Sequence, residues 1–358
     1  MKRIRALGAG IGLCAGMVLA AGCSAGGSSS PPAPNGPAPA PTAVPTATPI
    51  GASTPTPTPS PSASPSSSAT PTQPSTGTQP SIGGCTIFPA NNPWNTDISS
   101  YPVNANSAGY LSVMNAGGSV YLHPDFGSNP SYGIPYNVDA IEPAQYTPIS
   151  FTPYASQSDP GPYPIPSSPA IEAGSDRHML ILDTDDCTDY ETYDTQLTAS
   201  GWTAESGAVW PLDTNTLRPE GWTSADAAGL PILAGLIRYD EVQAGAVNHA
   251  IRFTVNDTSQ GHIHPATHDA ATSSDPNAPP MGLRIRLKAS YNIGSFTGNS
   301  LVILRAMKKY GLMLADNGSN FYFQGSTDTR WNDNDLNQLK SVPASAFEVV
   351  DTGPVITP

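Results

Sequence analysis

The chain has 358 residues and a formal net charge of −13 at pH 7. Of its 40 prolines, 16 fall between residues 31 and 80, a stretch without charged side chains that cannot supply a folded core. Beyond the basic residues at positions 2–5, 12 basic side chains face 28 acidic ones, a charge of about −16. This balance excludes binding to nucleic-acid backbones and to anionic membrane surfaces, which requires clustered Lys and Arg.

The first 22 residues have the organisation of an export signal. A basic start at residues 2–5 precedes an apolar run over residues 6–20. The run ends in Leu19-Ala20-Ala21-Gly22-Cys23, which resembles a bacterial lipobox except that Ala20 stands where Leu is more usual. The resemblance implies cleavage before Cys23 and a lipid anchor on its sulfur, which places the protein outside the cytoplasm at the cell envelope. An ordinary secretory signal is the alternative.

A tether rich in Pro, Thr and Ser follows over residues 23–84. It contains repeats such as Thr54-Pro55-Thr56-Pro57, and alternating proline favours extended polyproline II. We therefore predict a disordered linker that carries a single globular domain, residues 85–358, away from the membrane.

The four cysteines are accounted for under this organisation. Cys14 leaves with the signal and Cys23 takes the lipid, so Cys85 and Cys187 remain in the domain. In an oxidising compartment two such cysteines predict a disulfide bond.

The domain contains many short strand patterns and few helical ones. The predicted helices cover residues 107–116, 225–238 after a cap at Ser224, 300–310 and 333–340. The predicted strands cover residues 178–183, 187–197, 206–212, 247–255, 282–288, 312–315, 320–324 and 347–350. Gly311 is predicted to end the third helix, and strands 312–315 and 320–324 to form a hairpin. We expect a β-rich α+β fold with an antiparallel sheet or a sandwich-like core.

Three side chains at the edges of these elements are candidate catalytic groups. Asp226 begins a predicted helix, whose dipole would stabilise a base or nucleophile; plain dipole compensation is the alternative. Asp316 follows an apolar run, so burial is expected to raise its pKa and suit it to be an acid. His249 would orient one of them or act as the base, although on an apolar strand face a core histidine is more common.

Aromatic and polar side chains in the same segments are candidate sugar contacts. The predicted substrate-binding residues are Trp222, Trp210, His123, Asp125 and Arg238. The chain as a whole has 5 Trp and 14 Tyr, residues whose rings stack on sugars.

A histidine cluster is the candidate metal site. If His262 and His264 lie on one strand they point to one face, and His268 or Asp269 would complete a ligand set. Their spacing matches no standard zinc motif, which favours the alternative of a polar loop with local hydrogen bonds. Apart from a divalent metal at these residues, we expect no cofactor.

Longer stretches resemble a family of secreted bacterial proteins. The elements are HPDFG at residues 123–127, LRPEGWTSADAAGLP at 217–231 and KKYGLMLADNGS at 308–319. This resemblance spans about 85–350 and carries no activity over to the chain. Residues 280–284, 315–318 and 325–328 are locally similar to the three-aspartate barrel domain of lytic transglycosylases. The chain departs from that pattern with Asp-Asn-Gly in place of Asp-Thr-Gly and with a helix between the strands.

Two classes of function fit these features. The first is an envelope-anchored enzyme that cleaves extracellular polysaccharide by acid–base chemistry, as a hydrolase or a lyase. The second is a non-catalytic glycan-binding or envelope-interaction module. A metal-dependent hydrolase at the histidine cluster is a third hypothesis. We expect a monomer whose partners are a glycan and, through the lipid, the membrane, with no nucleic acid.

Overall fold

The computed structural model describes residues 78–139 and 146–357. The predicted signal peptide, Cys23 and the tether as far as residue 77 lie outside the described residues. All of the described residues belong to one compact unit. Within them, no helix has the length and apolar character needed to cross a membrane.

Short strands and a few helices build this unit, which confirms the predicted β-rich α+β class. The strands are, in chain order, β1 (Ser81–Ile82), β2 (Cys85–Thr86), β3 (His123–Pro124), β4 (Tyr136–Asp139), β5 (Tyr146–Thr147), β6 (Ile149–Phe151), β7 (Tyr163–Pro164), β8 (Met179–Asp183), β9 (Thr188–Tyr193), β10 (Gln196–Thr198), β11 (Gly201–Ala204), β12 (Ser206–Pro211), β13 (Ile251–Val255), β14 (Arg284–Leu287), β15 (Leu312–Asn317), β16 (Tyr322–Phe323) and β17 (Phe347–Val349). The helices are α1 (Ser107–Met114), α2 (Tyr239–Gln243), α3 (Gly298–Lys309) and α4 (Asp333–Leu336).

A six-stranded sheet with the order β17-β14-β15-β13-β16-β3 holds the main core. Helix α3 contributes Ile303, Leu304 and Met307 to that core and ends at Gly311, whose φ of 68° is the predicted left-handed cap. The predicted hairpin of 312–315 with 320–324 is wrong. Strand β13 lies between these two strands, parallel to β15 and antiparallel to β16.

A four-stranded sheet with the order β12-β9-β8-β4 lies beside a three-stranded sheet, β10-β11-β6, in the same unit. The predicted disulfide between Cys85 and Cys187 is confirmed, with the two Cα atoms 5.4 Å apart. It joins strand β2 to the turn between β8 and β9.

The predicted helix over residues 225–238 is wrong, because this segment is a loop with a single 3-10 turn at Leu233–Gly235. Gly229 has φ of +70°, and a Cβ there would lie 2.3 Å from Oγ1 of Thr267. The loop is therefore held by contacts with distant parts of the chain, and only glycine fits at its closest approach.

Candidate functional site

A cavity of about 260 Å³ lies where the loop 223–227 meets the end of β15. The loop supplies Asp226, β15 supplies Asp316, and a third segment supplies His268. Tyr154 and Tyr193 also line the cavity. The structure thus brings together two of the three predicted catalytic residues, with His268 beside them.

A break in the pairing of β15 with β13 positions Asp316. Leu314 and Asp316 face consecutive residues of β13, so the pairing skips Ala315. The carbonyl oxygen of Ala315 instead accepts a hydrogen bond of 3.0 Å from the N–H of Ala228. Bulges of this kind redirect the neighbouring side chain. The bulge therefore directs the side chain of Asp316 into the cavity and, through the carbonyl group of Ala315, binds the loop that carries Asp226.

Asp226 is buried in a two-point ion pair with Arg252 of β13. Nη2 and Nε of Arg252 lie 2.7 and 3.0 Å from the two carboxylate oxygens of Asp226. The side chain of Arg252 is 4% exposed and that of Asp226 is fully buried. Burial works against the charge on Arg252, but Asp226 outweighs it and raises the pKa of Arg252. Asp226 is therefore held by this ion pair, and not at the start of the helix expected from the sequence.

Asp316 has an altered acidity. Its side chain is 26% exposed, and its Oδ2 lies 3.6 Å from Nη2 of Arg252. Burial and then the negative charge of Asp226 raise the pKa of Asp316 to about 7, against the attraction of Arg252. A carboxyl group of this pKa still holds its proton on about half of the molecules at neutral pH, as a general acid requires.

His268 supplies a complementary proton acceptor in the cavity. Its Nδ1 lies 2.7 Å from the carbonyl oxygen of Ala227. Because a carbonyl only accepts hydrogen bonds, Nδ1 carries a proton, which leaves Nε2 as the ring nitrogen that can act as a base.

A second histidine supports the loop from the other side. Nε2 of His178 donates to the carbonyl oxygen of Ala225 at 3.1 Å, and Nδ1 lies 2.6 Å from a carboxylate oxygen of Glu172. Burial disfavours the charged ring, but the bond to Glu172 outweighs it and raises the pKa of His178. Histidines therefore hold the carbonyl groups on both sides of Asp226.

The structure does not bring His249 or Arg238 to the cavity; both bind Glu241 in a buried cluster. Nε2 of His249 lies 3.1 Å from Oε1 of Glu241, and Nη2 of Arg238 lies 2.7 Å from Oε2. Nδ1 of His249 lies 2.7 Å from the carbonyl oxygen of Ala250. Burial opposes ionisation, but Arg238 and His249 outweigh it and lower the pKa of Glu241. Since both ring nitrogens of His249 are occupied, its role here is structural.

The two predicted sugar-binding tryptophans enclose Arg218. The guanidinium carbon lies 5.5 Å from the ring centroid of Trp210 and 5.6 Å from that of Trp222. Nη1 of Arg218 also binds Asp159 at 2.6 Å. Trp210 is only 6% exposed, whereas Trp222 is half-buried. Trp222 is therefore the one of the pair that retains ring surface for a ligand.

His123 and Asp125 line a second cavity, of about 360 Å³, together with Tyr132 and Lys340. The ring of His123 stacks on that of Tyr322 with centroids 4.0 Å apart. Burial raises the pKa of Asp125, opposed by the charge of His123. These two predicted contacts therefore lie away from the residues that form the first cavity.

Of the predicted metal ligands, His262 and His264 meet each other and Glu220, with all ligand atoms within 4.8 Å. His268 is not part of this cluster, since it lines the first cavity and binds Ala227. A cluster that could hold a metal is thus present in the described structure, with Glu220 in the place expected for His268.

Sequence reasoning missed Arg252 and the buried acids Asp189 and Glu191. Glu191 accepts the backbone N–H groups of Ile232 and Leu233 at 2.9 and 2.7 Å. Burial raises the pKa of both acids. The available signal was the same in each case, a charged residue within a strand pattern, because such a residue needs a buried partner.

Comparison with protein-family models, with curated proteins and with solved structures finds no match for this chain. The resemblances to secreted bacterial proteins and to the lytic transglycosylase barrel therefore stay predictions.

Proposed function

We propose that the protein cleaves extracellular polysaccharide by general acid–base catalysis in the 260 Å³ cavity. The observation that carries the proposal is Asp316, an acid with a pKa of about 7 that lines this cavity. His268 lines the same cavity, and because its Nδ1 donates to Ala227, Nε2 is the ring nitrogen that can accept a proton. A proton donor and a proton acceptor that line one cavity are the pair of groups that acid–base cleavage of a glycosidic bond requires.

The chemistry assigns one proton to each group. Asp316 donates its proton to the glycosidic oxygen as the bond to the anomeric carbon breaks. Nε2 of His268 accepts a proton from the water molecule whose oxygen bonds to that carbon. Asp316 ends as a carboxylate and His268 as an imidazolium, and exchange with solvent restores both.

Asp226 and Arg252 position the reacting group and transfer no proton. Asp226 was predicted as a base or nucleophile, but Arg252 occupies both of its oxygens. Its negative charge instead raises the pKa of Asp316. The carboxyl group of Asp226 is bound to Arg252, whereas that of Asp316 has a raised pKa, and this difference gives the two groups different roles.

The substrate class follows from size and charge. The cavity is below the range of about 300–1,000 Å³ that encloses drug-sized ligands, which suits one sugar unit of a longer chain. Tyr154 is 39% exposed and offers a ring face at the cavity. The charge of about −16 beyond the signal does not repel neutral or cationic glycans but repels polyuronates. We therefore favour hydrolysis of a neutral or amino-sugar glycan over elimination on a uronic acid.

The proposed location follows from the sequence alone. The lipobox-like ending at Cys23 and the tether support anchoring at the outer face of a membrane, where the domain meets envelope glycans as a monomer. The cluster of Glu220, His262 and His264 does not line the cavity, so the cleavage chemistry proposed here uses no metal.

The test is a reducing-end assay of the mature protein on neutral, amino-sugar and uronic-acid glycans. Asp316→Asn should lower turnover by about 10²–10⁴-fold, because the amide of asparagine cannot donate a proton to the glycosidic oxygen. Asp176→Asn is the matched control, since Asp176 lines the same cavity but is exposed. Turnover that survives Asp316→Asn would contradict the proposal, and saturable binding without turnover would favour the glycan-binding module instead.

A further inference from the structure

Glu220, His262 and His264 present three ligand atoms to a common point outside the cavity. Nε2 of His262 lies 2.9 Å from one carboxylate oxygen of Glu220, and Nε2 of His264 lies 2.5 Å from the other. Two imidazole nitrogens and a carboxylate oxygen form a ligand set that zinc prefers in proteins.

The backbone holds these donors in place. His262 exchanges two hydrogen bonds, of 2.9 and 2.8 Å, with Ile356 near the end of the chain. The N–H of Gly221, next to Glu220, donates to the carbonyl oxygen of Thr267 at 2.7 Å. The two segments that carry the ligands are thus fastened to each other before any ion binds, which lowers the entropy lost on binding.

We propose that Glu220, His262 and His264 bind one zinc ion. The side chains of His264 and Glu220 are 45% and 55% exposed, so water can fill the fourth position. Ligand atoms about 2.1 Å from zinc lie about 3.4 Å apart in a tetrahedron. The present N–O separations are shorter, and the two exposed side chains can move outward to make room.

The buried Nδ1 of His262 limits the affinity. It has no hydrogen-bond partner among the described residues, while Nε2 lies 2.9 Å from Glu220. A histidine that binds zinc through Nε2 carries a proton on Nδ1, and here that proton would find no acceptor. Loss of such a contact typically weakens metal binding by about 10–100-fold. We therefore expect a site that dialysis against zinc fills and a chelator empties.

The ion would fasten together two segments that lead into the cavity. Glu220 precedes the loop that carries Asp226, and His264 precedes His268. Zinc would therefore stabilise the cavity without taking part in proton transfer. This inference is independent of glycan cleavage, because binding and thermal stability are measured without a substrate.

The test measures zinc content by mass spectrometry after dialysis of the full chain against zinc, together with the thermal unfolding temperature. Glu220→Gln and His264→Ala alter exposed side chains and should fold normally. His268→Ala is the matched control, since it removes a neighbouring histidine that the structure places outside the cluster.

We expect one zinc per chain, at least about tenfold weaker binding in Glu220→Gln and His264→Ala, and unchanged binding in His268→Ala. Zinc should raise the unfolding temperature of the unmodified protein and of His268→Ala, but not that of Glu220→Gln or His264→Ala. Absence of bound zinc, equal binding by all variants, or loss of binding in His268→Ala would each overturn the proposal.

Discussion

The N–H of Ala228 donates a hydrogen bond of 3.0 Å to the carbonyl oxygen of Ala315, the residue that the β13–β15 pairing skips. This bond joins the loop behind Asp226 to β15, the strand that carries Asp316. The two acids are 90 positions apart in the chain, yet one bulge sets their relation. The bulge in the sheet therefore brings the proposed acid close to the charge that raises its pKa.

Asp226→Asn should shift the pH dependence of turnover to lower pH. Removing the negative charge of Asp226 removes one cause of the raised pKa of Asp316 and frees Arg252 to attract the Asp316 carboxylate. Asp316 then loses its proton at lower pH, and the activity that requires the protonated acid falls earlier. A pH profile whose alkaline limb stays unchanged would show that Asp226 does not tune Asp316.

Asp316→Asn should stabilise the protein at pH 8. The folded chain keeps the proton of Asp316 up to a pKa of about 7, whereas an unfolded aspartate loses it near pH 4. Ionisation therefore costs folding free energy above pH 4, by an amount that grows until about pH 7. Urea unfolding should give a gain of roughly 2–4 kcal/mol at pH 8 that shrinks toward pH 4. A loss of stability at pH 8 would contradict the raised pKa.

Removing the disulfide should lower the free energy of unfolding. The bond closes a loop with a sequence separation of 102, for which loop entropy gives about 4–5 kcal/mol. The double variant Cys85→Ser, Cys187→Ser should therefore unfold at lower urea concentration than the oxidised protein. Equal midpoints for the two would show that the bond contributes little.

Cys23→Ala should release the protein from membranes. The lipobox-like sequence predicts a lipid on this sulfur, and alanine cannot carry it. Detergent partitioning should find the unmodified protein in the detergent phase and the variant in the aqueous phase. A variant that stays in the detergent phase would exclude this anchor.

Local patterns were sufficient to predict several elements. The amphipathic run before Gly311 predicted α3, and the strand patterns predicted β8, β12 and β14 close to their bounds. The cysteine count predicted the disulfide. The predictions of strands and helices depend on side chains that are near in sequence. The prediction of the disulfide depends on two cysteines, which allow one pairing.

The errors arose where distant contacts decide the conformation. The stretch after Ser224 has a helical pattern, but Gly229 packs against Thr267. The N–H groups of Ile232 and Leu233 donate hydrogen bonds to Glu191. The pairing of Arg252 with Asp226 has no local pattern, since 26 positions separate the two. Asp316 was different, because the apolar run before it already indicated burial and a raised pKa.

The most direct test of the central claim is a titration of the Asp316 carboxyl carbon by NMR, with Asp316→Asn identifying its signal. We expect a midpoint of about 7, because burial and the charge of Asp226 hold the proton on Asp316. A midpoint at the ordinary aspartate value of about 4 would contradict it, since the cavity would then contain no acid at neutral pH.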